Sequence, residues 1–128
     1  NVIYAYRPDL AQQRFVHDPA HDCILESDKL QQLQGGALSA NGNLILVSDR
    51  TRALHVYRLS DGHYWGQADV KRSTSKLKSE ELEGVDVRLG VTHAGFETQV
   101  HVLLLDNDLT SLDDVIFKHY SVPKPANL

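Results

Sequence analysis

Short runs of apolar and β-branched residues, separated by turn residues, recur along most of the chain. The hairpin dipeptide Asn41-Gly42 leads into one such run, and Ser60-Asp61-Gly62 separates two more. Runs this short with tight polar turns between them predict antiparallel strands that follow one another in space. The clearest group predicts a four-stranded meander with strands at 36–40, 43–49, 53–59 and 63–70.

The same order of runs appears a second time and, in part, a third time. An aromatic-basic pair marks the third run of each unit: Tyr6-Arg7, Tyr57-Arg58 and Phe117-Lys118. The entry glycines Gly36 and Gly84 lie 84 − 36 = 48 positions apart. A repeat of about 40–50 residues with four strands is typical of β-propeller blades. We therefore predict an all-β chain made of two to three four-stranded antiparallel blades of a β-propeller, with a β-sandwich as the alternative.

The repeat also predicts where the units begin and end. Residues 28–33 permit one helical turn, which the pair Gly35-Gly36 would end. Two or three blades alone would leave apolar faces in water, so we expect the remaining blades from the parent chain, a companion fragment or a homo-oligomer. The predicted units are 1–34 (partial blade and connection), 35–70 (complete blade), 71–81 (polar loop), 82–122 (further blade) and 123–128 (tail).

Composition excludes several classes of protein. The 128 residues carry 13 Lys+Arg and 17 Asp+Glu, a formal net charge of −4, which argues against nucleic-acid binding. No apolar run approaches the ~20 residues of a membrane span. The single cysteine, Cys23, excludes an internal disulfide, and we expect it to be buried. The chain contains no methionine, and we expect it to be a piece of a longer chain or a product of signal removal.

Acidic residues in two places are candidate metal ligands. Glu83 and Asp86 lie on a predicted innermost strand, from which carboxylates can meet others in a propeller channel and share a Ca²⁺ ion. Asp106 and Asp108 follow an apolar strand and are candidates for a loop Ca²⁺. The alternatives are that Glu83 bonds a neighbouring backbone where Gly84 permits close approach, and that the aspartates only shape a turn.

Tyr64 and Trp65 are candidates for stacking on a carbohydrate, and packing between blades is the alternative for Trp65. His17 and His21 are four positions apart, but Pro19 makes a helical zinc site improbable there. The serines lack the frame of a nucleophile elbow. The sequence therefore leaves open whether the protein is an enzyme, and no cofactor other than Ca²⁺ is suggested.

The segment Leu82-Glu83-Gly84-Val85-Asp86 resembles the Glu-Gly entry strand of secreted bacterial propeller-like proteins and, more distantly, of esterase-like phytases and lactonase-type propellers. Residues 99–108 and 113–120 are similar to the last blade of the secreted group. The resemblance implies secretion and, for the phytase and lactonase relatives, metal-dependent hydrolysis in the channel. We expect a secreted binding module for carbohydrate or protein, with a Ca²⁺-dependent hydrolase using Glu83, or a purely structural fragment, as alternatives.

Overall fold

The computed structural model describes residues 1–26, 29–70, 80–93, 96–106 and 115–123. Within these ranges the chain is built from antiparallel strands and one short 3-10 turn at Pro19–His21, so the predicted all-β class is confirmed. The strands are β1 (Val2–Ile3), β2 (Tyr6–Asp9), β3 (Arg14–His17), β4 (Cys23–Ile24), β5 (Leu33–Leu38), β6 (Asn43–Ser48), β7 (Ala53–Arg58), β8 (Tyr64–Asp69), β9 (Glu80–His93), β10 (Phe96–Asp106) and β11 (Val115–Pro123).

Strands β5 to β8 form one four-stranded sheet in sequence order, as the meander predicted. Two of its three hairpins turn at Gly42 and Gly62, which have φ angles of 78° and 73°. Only glycine adopts this left-handed conformation without strain, so both turns depend on the glycines that marked them in the sequence. The predicted helical turn at 28–33 is wrong, because residues 29–32 are not helical and Leu33 already begins β5.

Strands β9, β10 and β11 form a three-stranded antiparallel sheet with β10 in the centre. The pairing of β9 with β10 shifts where Gly84 lies opposite Leu103 and Leu82 lies opposite Leu104. Glu83 is therefore the extra residue of a β-bulge. The runs at 82–87, 99–105 and 114–120 all contribute to these strands, and the predicted polar loop at 71–81 lies largely outside the described residues.

The two central strands of the four-stranded sheet, β6 and β7, are largely buried on both faces. Alternate residues of β6 point in opposite directions: Ile45 and Val47 join one core, and Leu44 and Leu46 join the other. This explains why β6 reads as an unbroken apolar run rather than an alternating one. The first core includes residues of the β9–β11 sheet, namely Leu82, Val87, Val100, Val102 and Leu104. The second core includes Cys23 and Leu25 of the N-terminal segment, together with Tyr57.

The two larger sheets approach each other closely at their first strands. A Cβ atom added to Gly35 in β5 would lie 3.1 Å from the Cα atom of Gly84 in β9. The close approach predicted for Gly84 is therefore present, and its partner is a second glycine. Without side chains at these positions, two backbones can pack at a distance that larger residues would not allow.

The N-terminal segment forms two small pairs, β1 with β4 and β2 with β3. It is joined to the four-stranded sheet where the Glu26 backbone N–H donates to the Gly62 carbonyl oxygen at 3.1 Å. The segment therefore forms a third layer, so each face of the central sheet is covered by a different part of the chain. No helix in the described part of the chain has the length and hydropathy needed to span a membrane.

Candidate functional site

Trp65 lies at an irregular position of the edge strand β8. Val56 pairs with Gly66 and Tyr57 pairs with Tyr64, so Trp65 is the extra residue of a bulge. Gly66 has a φ angle of 144°, a conformation that favours glycine. Bulges on edge strands often redirect a side chain towards a binding site. Here the bulge presents the indole to solvent, and Trp65 is 58% exposed.

Charged groups surround the exposed indole. The guanidinium carbon of Arg58 lies 5.6 Å from the indole ring centroid, and the His63 ring lies 5.5 Å away in an edge-to-face arrangement. Arg58 donates to the Asp61 carboxylate through both Nε and Nη2, and His63 Nδ1 lies 2.9 Å from Glu26 Oε2. We call these five residues, Glu26, Arg58, Asp61, His63 and Trp65, the Trp65 surface.

The ion pair between Arg58 and Asp61 shifts the pKa of both groups. The hydrogen bonds from Arg58, and next the bond from the His63 backbone N–H, lower the pKa of Asp61 to about 2. The same pairing raises the pKa of Arg58. Both groups are therefore charged at neutral pH. The surface combines an apolar aromatic face with fixed hydrogen-bonding groups beside it.

Tyr64, the second predicted stacking residue, occupies a different environment from its neighbour Trp65. Its ring centroid lies 5.0 Å from that of Tyr57 and 5.1 Å from Lys29 Nζ. Its hydroxyl lies 3.2 Å from Nδ1 of His55. Tyr64 therefore packs against protein groups, and Trp65 is the more accessible aromatic of the pair.

His55 is fully buried and forms hydrogen bonds through both ring nitrogens. Nε2 lies 2.7 Å from Thr51 Oγ1, and Nδ1 contacts the Tyr64 hydroxyl. Burial, and to a smaller extent the charge of Lys29, lowers the pKa of His55. The imidazole is therefore neutral at pH 7, and the network satisfies a polar group inside the core.

Glu83 lies at the bulge of β9 among other acidic groups. Burial raises the pKa of Glu83, and the charge of Glu81, a hydrogen bond with Glu81 and the charge of Asp49 raise it further. Asp49 Oδ1 also accepts a hydrogen bond of 3.0 Å from the Leu82 backbone N–H. In the part of the chain that the structure describes, no three His, Cys, Asp or Glu side chains are arranged to hold a metal ion. A role for Glu83 as a Ca²⁺ ligand stays a prediction.

Asp86, also predicted as a metal ligand, lies three positions after Glu83 in the same strand, β9. Asp86 is exposed and pairs across the sheet with His101. Asp106 is the last residue of β10, and Asp108 lies outside the described residues. His101 and His119 lie directly opposite each other, which no sequence motif indicates because it depends on the register between β10 and β11.

The histidines near the N-terminus are paired with aspartates. His17 Nε2 lies 2.9 Å from Asp22 Oδ2, and His21 Nδ1 lies 3.1 Å from Asp18 Oδ2. The Ala5 backbone N–H, and to a smaller extent His17, lower the pKa of Asp22. Cys23 is buried as expected, and burial raises the pKa of its thiol. The two histidine–aspartate pairs stabilise the N-terminal segment that contains strands β1, β2, β3 and β4. Burial keeps the Cys23 thiol protonated and unreactive.

Comparison with known proteins adds no relative: no protein-family model, curated protein or solved structure matches the chain.

Proposed function

We propose that this chain is a binding module of a secreted β-propeller protein, and that it binds carbohydrate at the Trp65 surface. The observation that carries the proposal is the bulge that holds the indole of Trp65 out from the edge strand. A sugar ring has a C–H face that packs on an aromatic ring, and its hydroxyls need donors and acceptors around the rim. The exposed Asp61 and Glu26 carboxylates have acceptor sites, and the Arg58 guanidinium has N–H donors, beyond those used in their own ion pairs.

The rest of the proposal rests on the sequence. The blade-length repeat and the resemblance to secreted bacterial propeller-like proteins favour a propeller and secretion. The antiparallel sheets, with their first strands closest together at Gly35 and Gly84, are compatible with neighbouring blades.

The tryptophan content makes the proposal directly testable. Trp65 is the one tryptophan in the chain, so its fluorescence reports on this surface alone. We expect titration with neutral oligosaccharides, such as β-1,4-linked glucose and N-acetylglucosamine oligomers, to change the Trp65 emission saturably. A bound oligosaccharide should also protect the Trp65 indole from quenching by acrylamide.

Variants separate stacking from general effects. By isothermal titration calorimetry, Trp65→Ala should weaken oligosaccharide binding at least about tenfold, which corresponds to about 1.4 kcal/mol. Phe15→Ala is the matched control, because Phe15 is 74% exposed, lies on β3 and is not one of the five residues of the Trp65 surface. Equal losses in both variants, or no saturable response to any oligosaccharide, would refute carbohydrate binding at Trp65.

A protein partner is the second candidate, and exposed apolar residues favour it. Val115 and Phe117 in β11 are 56% and 65% exposed, beside Leu103 and Leu105 of β10. A further blade from a parent chain, a companion fragment or a second copy would cover this sheet face. Light scattering after size exclusion measures the mass: a dimer or larger assembly that Phe117→Asp dissociates supports a second copy, and a monomer excludes it.

The Ca²⁺-dependent hydrolase stays as the alternative that rests on Glu83. It predicts that Ca²⁺ raises the melting temperature of the wild type and that Glu83→Gln removes this effect. If added Ca²⁺ leaves the melting temperature unchanged, the chain does not bind Ca²⁺ and the Ca²⁺-dependent hydrolase is refuted.

A further inference from the structure

Three polar side chains lie in one row across the β9–β11 sheet. His101 in the central strand pairs directly with His119 on one side and with Asp86 on the other. Residues that face each other in this way project from the same face of a sheet with their Cβ atoms about 5 Å apart. His119 and Asp86 are exposed and His101 is half-buried, so the row is open to solvent.

The two imidazoles are in contact, and one ring nitrogen has no hydrogen-bond partner. Their ring centroids are 4.5 Å apart with an interplanar angle of 64°. Among the described residues, Nε2 of His101 is buried without a hydrogen bond. Buried polar atoms nearly always have a partner, so an unsatisfied imidazole nitrogen needs a reason. A metal ion near the pair would supply one, since the two histidine side chains are good ligands for transition metals.

The two rings pack edge to face with their centroids 4.5 Å apart, which is close enough for both to reach one metal ion after rotation of the side chains. Imidazole nitrogens bind Cu²⁺, Ni²⁺ and Zn²⁺, and sites of nitrogen and oxygen ligands bind Cu²⁺ most tightly of the three.

We propose that His101 and His119, with the Asp86 carboxylate, form an open surface site for a late first-row transition-metal dication, with Cu²⁺ bound most tightly. The order of affinities follows the general preference of nitrogen and oxygen sites for Cu²⁺ over Ni²⁺ and Zn²⁺. As no three such side chains converge in the described residues, Asp86 must reorient to reach the metal, and water fills the remaining positions. The site shares Asp86 with the Ca²⁺ site predicted at Glu83, but its two imidazoles favour a transition metal, because imidazoles are poor ligands for a hard cation.

Titration of the metal-free full-length chain with Cu²⁺ tests the proposal. We expect one equivalent to bind, with an electron paramagnetic resonance spectrum that shows nitrogen ligands. His119→Asn should lower the affinity at least tenfold and reduce the number of coupled nitrogens, and Asp86→Asn should lower it less. His119 is exposed, so its substitution should leave the melting temperature of the metal-free chain unchanged.

Two controls separate this site from scattered histidines and from the chain terminus. His63→Asn removes a histidine of the Trp65 surface and should leave Cu²⁺ binding unchanged. The double variant His101→Asn/His119→Asn keeps the terminal amine and should lose the one-equivalent site. Binding that survives in the double variant, an equal loss in His63→Asn, or no binding of Cu²⁺ to the wild type would overturn the proposal. None of these results depends on carbohydrate binding at Trp65. Phe117 and His119 alternate on the same face of β11, so a second copy seated there would cover the row, and the titration is therefore repeated on Phe117→Asp, which frees this face.

Discussion

Substitution of Gly62 by alanine should detach the N-terminal segment from the central sheet. Gly62 has a φ angle of 73°, and an added Cβ atom would overlap the carbonyl oxygen of Ile24 and lie 2.7 Å from its carbonyl carbon. These are backbone atoms, so no side-chain rotation relieves the overlap. The segment carrying Ile24 and Leu25 must move away, and the hydrogen bond from Glu26 to Gly62 breaks with it.

The cost can be estimated from three contributions. A left-handed alanine costs about 1 kcal/mol or more. The lost backbone hydrogen bond costs about 1 kcal/mol. Leu25 is 4% exposed, and its loss from the second core costs about 2 kcal/mol. Gly62→Ala should therefore lower the free energy of unfolding by about 4 kcal/mol.

Gly42→Ala provides a matched control. Gly42 has a φ angle of 78°, but no atom lies within 4 Å of an added Cβ. Its substitution therefore costs only the left-handed conformation, about 1 kcal/mol. Urea denaturation should separate the two variants by about 3 kcal/mol, and limited proteolysis should cut the N-terminal segment faster in Gly62→Ala alone. If the two variants unfold at the same urea concentration, the proposed backbone contact between Gly62 and Ile24 does not exist in solution.

Three further predictions concern the sheet junction and two titrating groups. Gly35→Ala should lower the free energy of unfolding by about 1–3 kcal/mol, because its Cβ would lie 3.1 Å from the Gly84 backbone. Gly84→Ala is the control, because its Cβ would lie at an ordinary 3.7 Å from Leu103. Equal melting temperatures of the two variants would contradict this prediction. Glu83→Gln should stabilise the protein at pH 7, because it removes a charge that burial, and next the like charges of Glu81 and Asp49, disfavour. Because the folded-state pKa of Glu83 is raised, the difference should vanish near about pH 4, where the wild type is protonated, and urea midpoints at both pH values test this. The folded-state pKa of His55 is lowered, so below about pH 6.5 the unfolded chain binds a proton that the buried ring does not bind. The free energy of unfolding should therefore fall as the pH drops below about 6.5. His55→Gln should flatten this part of the pH profile.

The central sheet could be predicted because its signals are local. Asn41-Gly42 and Ser60-Asp61-Gly62 specify their own turns, and the runs between them fix the strands. The glycines Gly35 and Gly36 were misleading: they lie within β5, where Gly35 meets Gly84, and do not end a helical turn. A glycine that permits a distant backbone to approach cannot be distinguished locally from one that breaks an element.

The candidate sites show the same division between local and distant information. Trp65 could be named from its type, but the bulge that exposes it depends on the register of β8 against β7. The pair His101 and His119 is separated by 18 positions in the sequence, and only the pairing of β10 with β11 brings the rings together. Strand register of this kind is set by packing across the whole sheet and is not written in any short motif.

The bulge at Trp65 also changes the unpaired edge of strand β8, where aggregation through strand addition would begin. Within the described residues β8 borders its sheet, and a straight bordering strand offers a row of free amide and carbonyl groups on which a foreign strand can add. The extra residue and the twisted backbone at Gly66 break the spacing of that row. Removing the bulge by deleting one residue would therefore regularise the border, and the shortened protein should form fibrils more readily than the parent.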